Sequence, residues 1–515
     1  MNKTFLAMIL MALILHMIAC VYSVGFYHPD EHYQIVEFAA YKVGLVQQQD
    51  LAWEYFSRSR PWIQPFLMSV VFRMLMSIGV HNVFVSLLVL RIIISLLSII
   101  SFILLGLCTL KWIPNKRIRN ITLFALLFAF YIPVLHARLS SENFSAFFII
   151  TTIGILSLSK PSSLSGNSIK SFLIRFFVGS MLGMAFVVRY QMIFMVIGIF
   201  AWLMVVKKIK LRHFLEISSA FIFIFFISIY ADHWGYGVWT LSIWNQFKIM
   251  FITKNYPSNQ SYPWWFYSVM YWREFSGPLG LTLLIFPLLL WCLAPYQILT
   301  FATIPFILFH FFIPHKEVRY LFPYIYLAPI MIGVSMWELL KRKCLKFLYQ
   351  KTIRGILYGL VFVLLIINAG LLVVNMLVPQ TDNVFFLQAI HDHVPIGNNI
   401  YWESNKDLIY WESNTNPFTL DGLPLMFFYS SQYFPVQVGS FKGLKTLAVD
   451  NKINTPIYYW RATKIETEVA NIGEYCTLLV IDPITKYIPQ RYANHLIFGW
   501  QITLHKPNRL YRCQF

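Results

Sequence analysis

The sequence predicts an α-helical protein that crosses a membrane many times. Hydrophobic residues make up 58% of its 515 positions and charged residues only 12%, whereas soluble globular proteins have roughly 25% charged residues. Apolar runs of ~20 residues, the length that spans a bilayer as a helix, recur as far as residue 378. Short clusters of Lys and Arg separate many of these runs, as expected for loops on the cytoplasmic side. Together these observations predict a polytopic membrane protein.

About eleven segments are apolar enough and long enough to be membrane helices. They are residues 5–24, 83–110, 119–135, 143–159, 172–188, 190–206, 212–232, 278–294, 296–313, 319–338 and 354–378. Residues 61–80 are also apolar but contain Pro61, Pro65 and Arg73. We expect an interfacial or re-entrant helix there, because every basic loop then falls on one side of the membrane.

The segments between the basic loops then lie together on the opposite, non-cytoplasmic side. These outer segments are residues 25–60, 136–142, 233–277, 314–318 and the tail 379–515. They contain almost every conspicuous polar motif of the chain. This coincidence favours a functional outer face over polar residues that merely fill loops.

The distribution of charge argues against a nucleic-acid partner. The net charge is +19, yet residues 379–515 hold eleven basic and eleven acidic side chains. The excess therefore lies in the apolar part of the chain, where basic clusters set the orientation in the bilayer. We expect the lipid bilayer, and no nucleic acid, as the surrounding partner.

Two domains are predicted. Residues 1–378 form a membrane module with interfacial helices in the outer loop 25–60, and residues 379–515 form a small extracytoplasmic α/β domain. A tail of ~137 residues is long enough for a domain of its own. Cys476 and Cys513 both fall in it, and a disulfide between them is an option that the sequence leaves open.

The first polar motif is the acidic pair Asp30 and Glu31, within the sequence His-Pro-Asp-Glu at residues 28–31. Adjacent carboxylates near a bilayer are costly to desolvate and are candidates for function. One of them has the chemistry of a general base for a hydroxyl group. The alternative is a helix cap, because Pro29 and the acidic pair suit a first helical turn, and the two roles are compatible.

Arginine recurs in three further places, and in two of them glutamate accompanies it. They are Glu54, Arg58 and Arg60 in the first outer loop, Arg138 and Glu142 at the second, and Arg189 between two short spans. Arginine matches phosphate oxygens with forked hydrogen bonds, so these side chains are candidates for binding a phosphate or a sugar. Snorkelling to the membrane interface and internal ion pairs are the alternatives.

The last motif is the sequence His-Lys-Glu-Val-Arg-Tyr at residues 315–320, at the outer end of a predicted span. It places His315, Lys316 and Arg319 around Glu317. A positive cluster on the outer side opposes the positive-inside tendency, so topology alone does not account for it. Such a cluster suits a departing phosphate group.

The motifs at residues 28–31 and 315–320, taken as a pair, resemble glycosyltransferase family 22. Trp53 and Glu54, the segment 58–60 and Arg138 fall where that family has similar patterns, and the resemblance covers about residues 5–340. It implies the GT-C membrane fold. It also implies an inverting transfer of mannose from a polyprenyl (dolichyl) phosphate mannose donor to a glycan or glycolipid acceptor.

The resemblance further implies roles for single residues. Asp30 is expected to be the catalytic base, with Glu31 positioning the acceptor or acting as the base instead. The residues expected to bind the donor phosphate are His315, Lys316, Arg319, Arg58, Arg60 and Arg138. The residues expected to bind substrate elsewhere are His28, Glu54, Glu142, Arg189, Trp264, Trp265 and Glu317. No cofactor, metal ion or nucleotide-sugar donor is implied.

The chain departs from the family pattern in one outer loop. Residues 262–267 read Tyr-Pro-Trp-Trp-Phe-Tyr, where eukaryotic members often have His-Pro-Trp-His-Trp-Tyr. The difference leaves the acceptor open and favours a bacterial or divergent member. We therefore expect the active site on the periplasmic side of a bacterial inner membrane in preference to the lumenal side of the ER membrane.

Two other functions compete with this interpretation. One is a transporter or flippase for lipid-linked glycans, which predicts internal repeats and charged residues near the membrane midplane. The sequence has no clear repeat, and its charges gather at one face. The other is a GT-C transferase that uses a different sugar, and donor assays would separate it from a mannosyltransferase.

Overall fold

The structure is a computed structural model that describes residues 3–253, 261–275, 277–342 and 351–377. Further along, the described stretches are residues 380, 384, 387–388, 392–394, 400–402, 419–420, 423–424, 436–438, 457–462, 475–481 and 508–514. Helices fill the described chain as far as residue 377, and the strands follow.

The helical part is an apolar bundle with short helices at one end. Its α-helices within the described residues are α1 Lys3–Tyr22, α2 Pro29–Glu31, α3 Glu37–Tyr41, α4 Trp53–Phe56, α5 Ile63–Ser77, α6 Val83–Trp112, α7 Lys116–Phe128, α8 Ile132–His136, α9 Ser141–Leu158, α10 Pro161–Ser165, α11 Ile169–Val188, α12 Ile193–Val205, α13 Leu211–Tyr236, α14 Ser242–Phe247, α15 Phe266–Glu274, α16 Pro278–Ile285, α17 Leu289–Leu293, α18 Ile298–Phe312, α19 Phe322–Lys341 and α20 Lys351–Leu377. Six described helices are long and apolar enough to cross a membrane, namely α1, α6, α9, α11, α13 and Val318–Lys341. The chain is therefore an integral membrane protein.

Polar caps determine where several of these helices begin. The side chain of Asn82 accepts hydrogen bonds from the first amides of α6, and Asn115 does the same for α7. Ser140 and Ser168 cap α9 and α11 in the same way. A capping oxygen satisfies backbone N–H groups that have no partner within the helix, so each cap defines a loop boundary.

A helix occurs in each of the predicted apolar segments, but two of them are interrupted. The predicted segment 119–135 divides into α7 and α8 with an extended turn between them. Asn368 of α20 closes this gap: its side chain accepts from the Phe130 N–H and donates to the Phe128 carbonyl, both at 2.9 Å. The predicted segment 278–294 divides at Pro287, which lies in a 3₁₀ turn between α16 and α17. Backbone N–H and C=O groups at such a break need hydrogen-bond partners, because leaving them unpaired in an apolar surrounding costs free energy.

Small residues allow α11 and α13 to approach each other closely. A β-carbon at Gly179 would lie 2.1 Å from the backbone oxygen of Ile217, and one at Gly183 would lie 2.8 Å from the β-carbon of Ile224. Gly179 and Gly183 are four residues apart and lie on the same face of α11. This is the small-residue spacing that packs membrane helices, and it fixes where the outer end of α13 lies.

The segments predicted to share the outer face contact one another. The Glu31 side chain accepts a hydrogen bond from the Leu139 N–H at 2.5 Å, and the Tyr262 N–H donates to the Pro314 carbonyl at 2.9 Å. The Gln380 N–H donates to the Val24 carbonyl at 2.7 Å. Loops from distant parts of the chain therefore meet at one end of the bundle.

The described strands of the tail form two sheets, the larger of which is mixed. They are β1 Ile400–Trp402, β2 Thr419–Leu420, β3 Leu423–Pro424, β4 Val436–Val438, β5 Ile457–Ala462, β6 Cys476–Ile481 and β7 Asn508–Cys513. The larger sheet among them has the order β4-β1-β5-β7-β6, with β1 parallel to both neighbours and β7 antiparallel to both of its own. Cys476 and Cys513 pair across β6 and β7 in a disulfide, so the bond that the sequence left open is formed.

Candidate active site

The acidic pair begins α2, and helix geometry separates its two side chains. His28 is the N-cap, and its ring nitrogen Nδ1 accepts from the Asp30 N–H at 3.3 Å. Consecutive residues of a helix do not face the same way. Glu31 is buried and accepts backbone hydrogen bonds from Leu139 at 2.5 Å and Tyr27 at 3.2 Å. Asp30 keeps 22% of its side chain exposed and faces a group of arginines.

Arg319 is the principal partner of Asp30. It lies in the 3₁₀ turn Val318–Leu321 that leads into α19. Its Nη2 atom is 2.5 Å from Asp30 Oδ2, and its Nε donates to Glu317. The guanidinium is 4% exposed, so this pair lies in a mostly buried surrounding where charge interactions are strong.

Arg60 approaches the same carboxylate oxygen from the first outer loop. Its Nη2 atom is 3.4 Å from Asp30 Oδ2 and 4.0 Å from Glu54 Oε1. Gln34 donates to Glu54 at 2.7 Å and so holds that glutamate in place. The Nε of Arg60 is buried and meets no acceptor among the described residues. Arg60 is therefore the second guanidinium at this carboxylate oxygen.

Two histidines and a tyrosine surround Glu317. His315 Nε2 lies 2.8 Å from Glu317 Oε1, and His28 Nε2 lies 3.4 Å from Glu317 Oε2. The Tyr320 hydroxyl donates to Glu317 Oε1 at 2.8 Å. Glu317 thus links the last outer motif to the first, and His28 also lies 3.6 Å from a carboxylate oxygen of Asp30.

A second arginine–glutamate pair extends the network away from Asp30. Arg189 Nη2 lies 2.9 Å from Glu142 Oε1, and Arg319 Nε lies 3.7 Å from the same atom. The Tyr320 ring contacts both guanidinium groups, with centroid distances of 5.1 Å to Arg189 and 5.6 Å to Arg319. We call the nine connected side chains the ion-pair network: His28, Asp30, Glu54, Arg60, Glu142, Arg189, His315, Glu317 and Arg319.

The network sets the protonation of its carboxyl groups. Burial would raise the pKa of Asp30, but the charges of Arg319, His28 and Arg60 outweigh it and hold that pKa below its usual range. Glu317 behaves in the same way, because Arg319 and a hydrogen bond from His315 overcome its burial and lower its pKa. Asp30 and Glu317 are therefore both charged near neutral pH.

Glu54, a member of the network, and the neighbouring Glu31 behave in the opposite way. Burial raises the pKa of Glu31 despite the charge of Arg138 and the two backbone hydrogen bonds. Burial likewise raises the pKa of Glu54, which Arg60 offsets only in part. Burial together with the nearby charge of Arg319 lowers the pKa of His28, which favours its neutral form.

The comparison with protein families gives the decisive finding. The model of the Alg9-like mannosyltransferase family matches residues 7–403, well over half of the chain. This chain belongs to the Alg9-like mannosyltransferase family.

Individual relatives agree with this assignment. The chain is 24% identical over 371 residues to human GPI alpha-1,2-mannosyltransferase 3 and 25% identical over 351 residues to the bovine protein of that name. The two alignments cover 69% and 65% of this chain, and 62% and 60% of those relatives. The chain therefore spans less than two thirds of the length of the curated relatives that it matches.

A solved structure confirms the GT-C fold. The crystal structure of ArnT from Cupriavidus metallidurans bound to undecaprenyl phosphate has a TM-score of 0.51 to this chain, at 11% identity. The superposition covers 93% of this chain and 97% of ArnT. The predicted membrane fold is thus correct, while the number of helices that cross the bilayer stays a prediction.

Lys316 and Arg138, two of the residues predicted to bind the donor phosphate, are bonded to backbone carbonyls in this structure. Lys316 is 2% exposed, and its ammonium donates to the carbonyls of His310, Phe311 and Ile313 at the end of α18. Arg138 is 1% exposed and donates to the carbonyls of Gly25, Ser23 and Val134. Both side chains hold backbone in place. A donor phosphate would have to displace these bonds to reach them.

Three other predicted site residues lie outside the ion-pair network. Arg58 is exposed and has a left-handed backbone, with φ of 52°. Trp264 and Trp265 are 63% and 49% exposed, as expected for aromatic side chains at a membrane interface. Any role of these three side chains in binding donor or acceptor stays a prediction.

Sequence reasoning missed two residues that complete the site. Gln34 lies one helical turn after Asp30, and that spacing is the signal that would have suggested it. Tyr320 follows Arg319 directly, and its role depends on a ring contact with Arg189 that the sequence does not reveal. Within the described ranges, no three His, Cys, Asp or Glu side chains are arranged to hold a metal ion. The expectation that no metal takes part stays a prediction.

Proposed function

We propose that this protein is an inverting mannosyltransferase that uses a polyprenyl (dolichyl) phosphate mannose donor and a glycan or glycolipid acceptor. The observation that supports this function most directly is the contact of Asp30 with Arg319 and Arg60. One partly exposed carboxylate faces guanidinium groups that suit a phosphate. Membership of the Alg9-like family supports mannose as the transferred sugar.

The proposed step is a single displacement. Asp30 takes the proton of an acceptor hydroxyl as its oxygen forms a bond to the anomeric carbon of mannose. The bond between that carbon and the phosphate oxygen breaks on the opposite face, so the configuration inverts. The bonding electrons leave with the phosphate, which departs as an anion and needs no proton. This differs from glycoside hydrolysis, where a carboxylic acid must protonate the leaving oxygen.

Arg319 and Arg60 are the proposed donor-phosphate ligands. Stabilisation of the developing charge by a well-placed donor is worth about 2.7–4 kcal/mol. The contacts of Arg319 and Arg60 with the same anionic oxygen support this assignment. His315 completes the phosphate side of the site through Glu317.

Binding of the donor would also prepare the base. The phosphate is an anion that competes with Asp30 for the same two guanidinium groups. Once these turn to the phosphate, Asp30 loses the charges that depress its pKa, and the pKa rises. A carboxylate with a higher pKa is a stronger base, so we propose that the donor binds before the proton is taken.

Glu31 is proposed to position the loop. Its carboxylate is buried and accepts from two backbone amides, which leaves it without access to an acceptor hydroxyl. These bonds join α2 to the segment before α9. Asp30 is therefore the proposed base of the pair.

The remaining proposals concern location and domains. We place the site on the non-cytoplasmic side, because the basic loops 111–119 and 207–212 lie at the other ends of the same helices. The periplasm of a bacterium is proposed in preference to the ER lumen. Residues 379–515 are proposed to form a separate domain on that side, and the disulfide Cys476–Cys513 supports an oxidising compartment.

A transfer assay with purified protein tests the proposal. The substrates are polyprenyl phosphate mannose and candidate glycolipid acceptors, with polyprenyl phosphate glucose and arabinose as parallel donors. Asp30→Asn removes the base and should lower the rate by about 10²–10⁴-fold. The matched control is Asp50→Asn in the same outer loop, which should retain the wild-type rate.

Each alternative has a distinct outcome in this assay. Full transfer by Asp30→Asn would refute Asp30 as the base. Transfer of glucose or arabinose in place of mannose would refute the donor. Movement of a lipid-linked glycan across proteoliposomes without any new glycosidic bond would favour the transporter.

A further inference from the structure

Arg60 lies in an irregular loop between two helices. The stretch 57–62 follows α4 and includes the left-handed residue Arg58. An arginine on such a loop would sample many positions, yet Arg60 must hold its guanidinium close to Asp30. Side chains from the segment 232–245 restrain this loop through hydrogen bonds to its backbone.

Tyr236, the last residue of α13, forms hydrogen bonds with both the backbone N–H and the backbone carbonyl of Arg60. The Arg60 N–H donates to the Tyr236 hydroxyl at 3.2 Å, and that hydroxyl donates to the Arg60 carbonyl at 2.7 Å. The Tyr236 ring packs against Tyr55 and Trp62, with centroid distances of 5.5 and 5.6 Å. One side chain thus satisfies both backbone polar groups of one residue.

Asp232 holds the next part of the same loop. It is 1% exposed, and its Oδ1 accepts from the Trp62 N–H at 2.9 Å. Its Oδ2 accepts from both the backbone and the hydroxyl of Ser242. A buried carboxylate with three donors is well satisfied, and here it joins the outer loop, α13 and α14.

Gly235 makes this arrangement sterically feasible. A β-carbon at Gly235 would lie 2.0 Å from the Trp62 indole ring, so any other residue would displace that ring. Asp232, Gly235 and Tyr236 are spaced at i, i+3 and i+4, which places them on one face of α13. From α14, the Asn245 side chain also donates to the Arg58 carbonyl at 3.0 Å.

We infer that Asp232 and Tyr236 are positioning residues that fix Arg60 for binding of the donor phosphate. This inference rests on the proposed function, because it assigns the phosphate to Arg60. The end of α13 carries the restraints, while the guanidinium that they direct belongs to a loop about 170 residues earlier in the chain. The hydrogen bonds of both side chains go to the loop backbone and to Ser242, so both act on the phosphate through Arg60.

Binding of undecaprenyl phosphate to the full-length purified protein tests the inference without any acceptor. Tyr236→Phe removes both hydrogen bonds to Arg60 and keeps the ring. We expect its Kd for undecaprenyl phosphate to rise about tenfold, since each lost bond contributes a few-fold. Tyr230→Phe is the matched control on the same helix, because Tyr230 is 66% exposed, and it should bind as the wild type does.

A double-mutant cycle tests whether Tyr236 affects binding by positioning Arg60 or by stabilising the fold in general. In an Arg60→Ala background, Tyr236→Phe should cause no further loss of binding, because the residue through which it acts is gone. A multiplicative loss in the double variant, or a wild-type Kd for Tyr236→Phe, would overturn the inference. Ser242→Ala, which removes one donor to Asp232, gives the same cycle if Tyr236→Phe does not fold.

Failure of this inference can be told from failure of the proposed function. If the wild-type protein does not bind undecaprenyl phosphate, the proposed donor class is wrong. If the wild type binds it and the cycle is additive, the donor proposal survives and only the role of Asp232 and Tyr236 is refuted.

Discussion

Asp30 shares one carboxylate oxygen between Arg319 and Arg60. The forked geometry of arginine matters here as well as its charge, because Arg319 also donates to Glu317. Arg319→Lys keeps the charge but offers a single ammonium in place of the fork. We expect transfer to fall on the order of 10²-fold, measured as kcat/KM for the donor.

The control for this variant is Arg273→Lys. Arg273 is exposed on α15 and outside the ion-pair network, so the same substitution should leave kcat/KM unchanged. An Arg319→Lys protein with wild-type kinetics would show that charge alone is sufficient.

The lowered pKa of Asp30 makes the stability of the folded protein depend on pH. A carboxyl group whose pKa is lowered on folding stabilises the protein above its unfolded value, and this contribution is lost as the pH falls. For Asp30 the loss begins near its ordinary pKa of 3.8. We expect the Tm of the purified protein to drop between about pH 5 and pH 2, and to drop less in Asp30→Asn.

The same titration with Asp50→Asn provides the comparison. Asp50 lies outside the network, so this variant should follow the wild-type curve. Equal drops in Tm for wild type and Asp30→Asn would mean that the ion pairs of Asp30 contribute nothing to stability.

At the scale of single residues, the sequence indicated which side chains matter more reliably than what each one does. The pair Asp30 and Glu31 was evident, but which of them faces the arginines depends on a helical turn and on distant partners. Lys316 looked like a phosphate ligand because sequence shows its charge and not the carbonyls that it binds. Distant partners distinguish Asp30 from Glu31, whereas the carbonyls that bind Lys316 are close to it in sequence.

The contact of α11 with α13 positions the helix whose last turns restrain Arg60. Gly179→Ala would place a β-carbon 2.1 Å from the Ile217 backbone oxygen, and backbone cannot yield as a side chain can. Overpacking of this kind costs about 1–3 kcal/mol. We expect a lower Tm for this variant, measured by thermal unfolding in detergent.

Gly359→Ala is the matched substitution in an open position. Nothing described lies within 4 Å of a β-carbon at Gly359 in α20. Alanine favours a helix over glycine by about 0.5–1 kcal/mol, so this variant should unfold at the same temperature or a higher one. A Tm for Gly179→Ala that matches Gly359→Ala would contradict the close packing.

At the scale of elements, hydropathy located the helices because burial in lipid requires long apolar runs. It missed the break between α7 and α8, because Asn368 of a distant helix satisfies the freed backbone. It also missed that α13 extends to Tyr236, past the predicted end at 232. The extension includes Tyr236, whose hydroxyl forms hydrogen bonds with the backbone of Arg60 in the first outer loop.

The sidedness of the whole molecule can be measured with cysteine labelling. In a background without Cys292 and Cys344, Trp264→Cys and Lys116→Cys place thiols at exposed positions of opposite ends. We expect a membrane-impermeant reagent to label residue 264 in intact cells. Residue 116 should be labelled only after the membrane is permeabilised.

Labelling of residue 116 in intact cells would show that the orientation in the membrane is the opposite of the one proposed.

At the scale of the whole molecule, the positive-inside rule predicted more than hydropathy did. It assigned distant loops to one face of the membrane, and in the structure these loops contact one another. It could not give the arrangement of the tail sheet, whose strand order depends on pairings across long stretches of chain.

The bond between Asp30 and Arg319 joins residues 289 positions apart. At a synthesis rate of about 5–20 residues per second, Arg319 is made roughly 15–60 seconds after Asp30. In the proposed topology, the acidic pair crosses the membrane during that interval, before its arginine is made. The enzyme therefore gains its active site late in biogenesis, when the segment before α19 is inserted, and truncated chains released earlier carry the carboxylate without the means to use it.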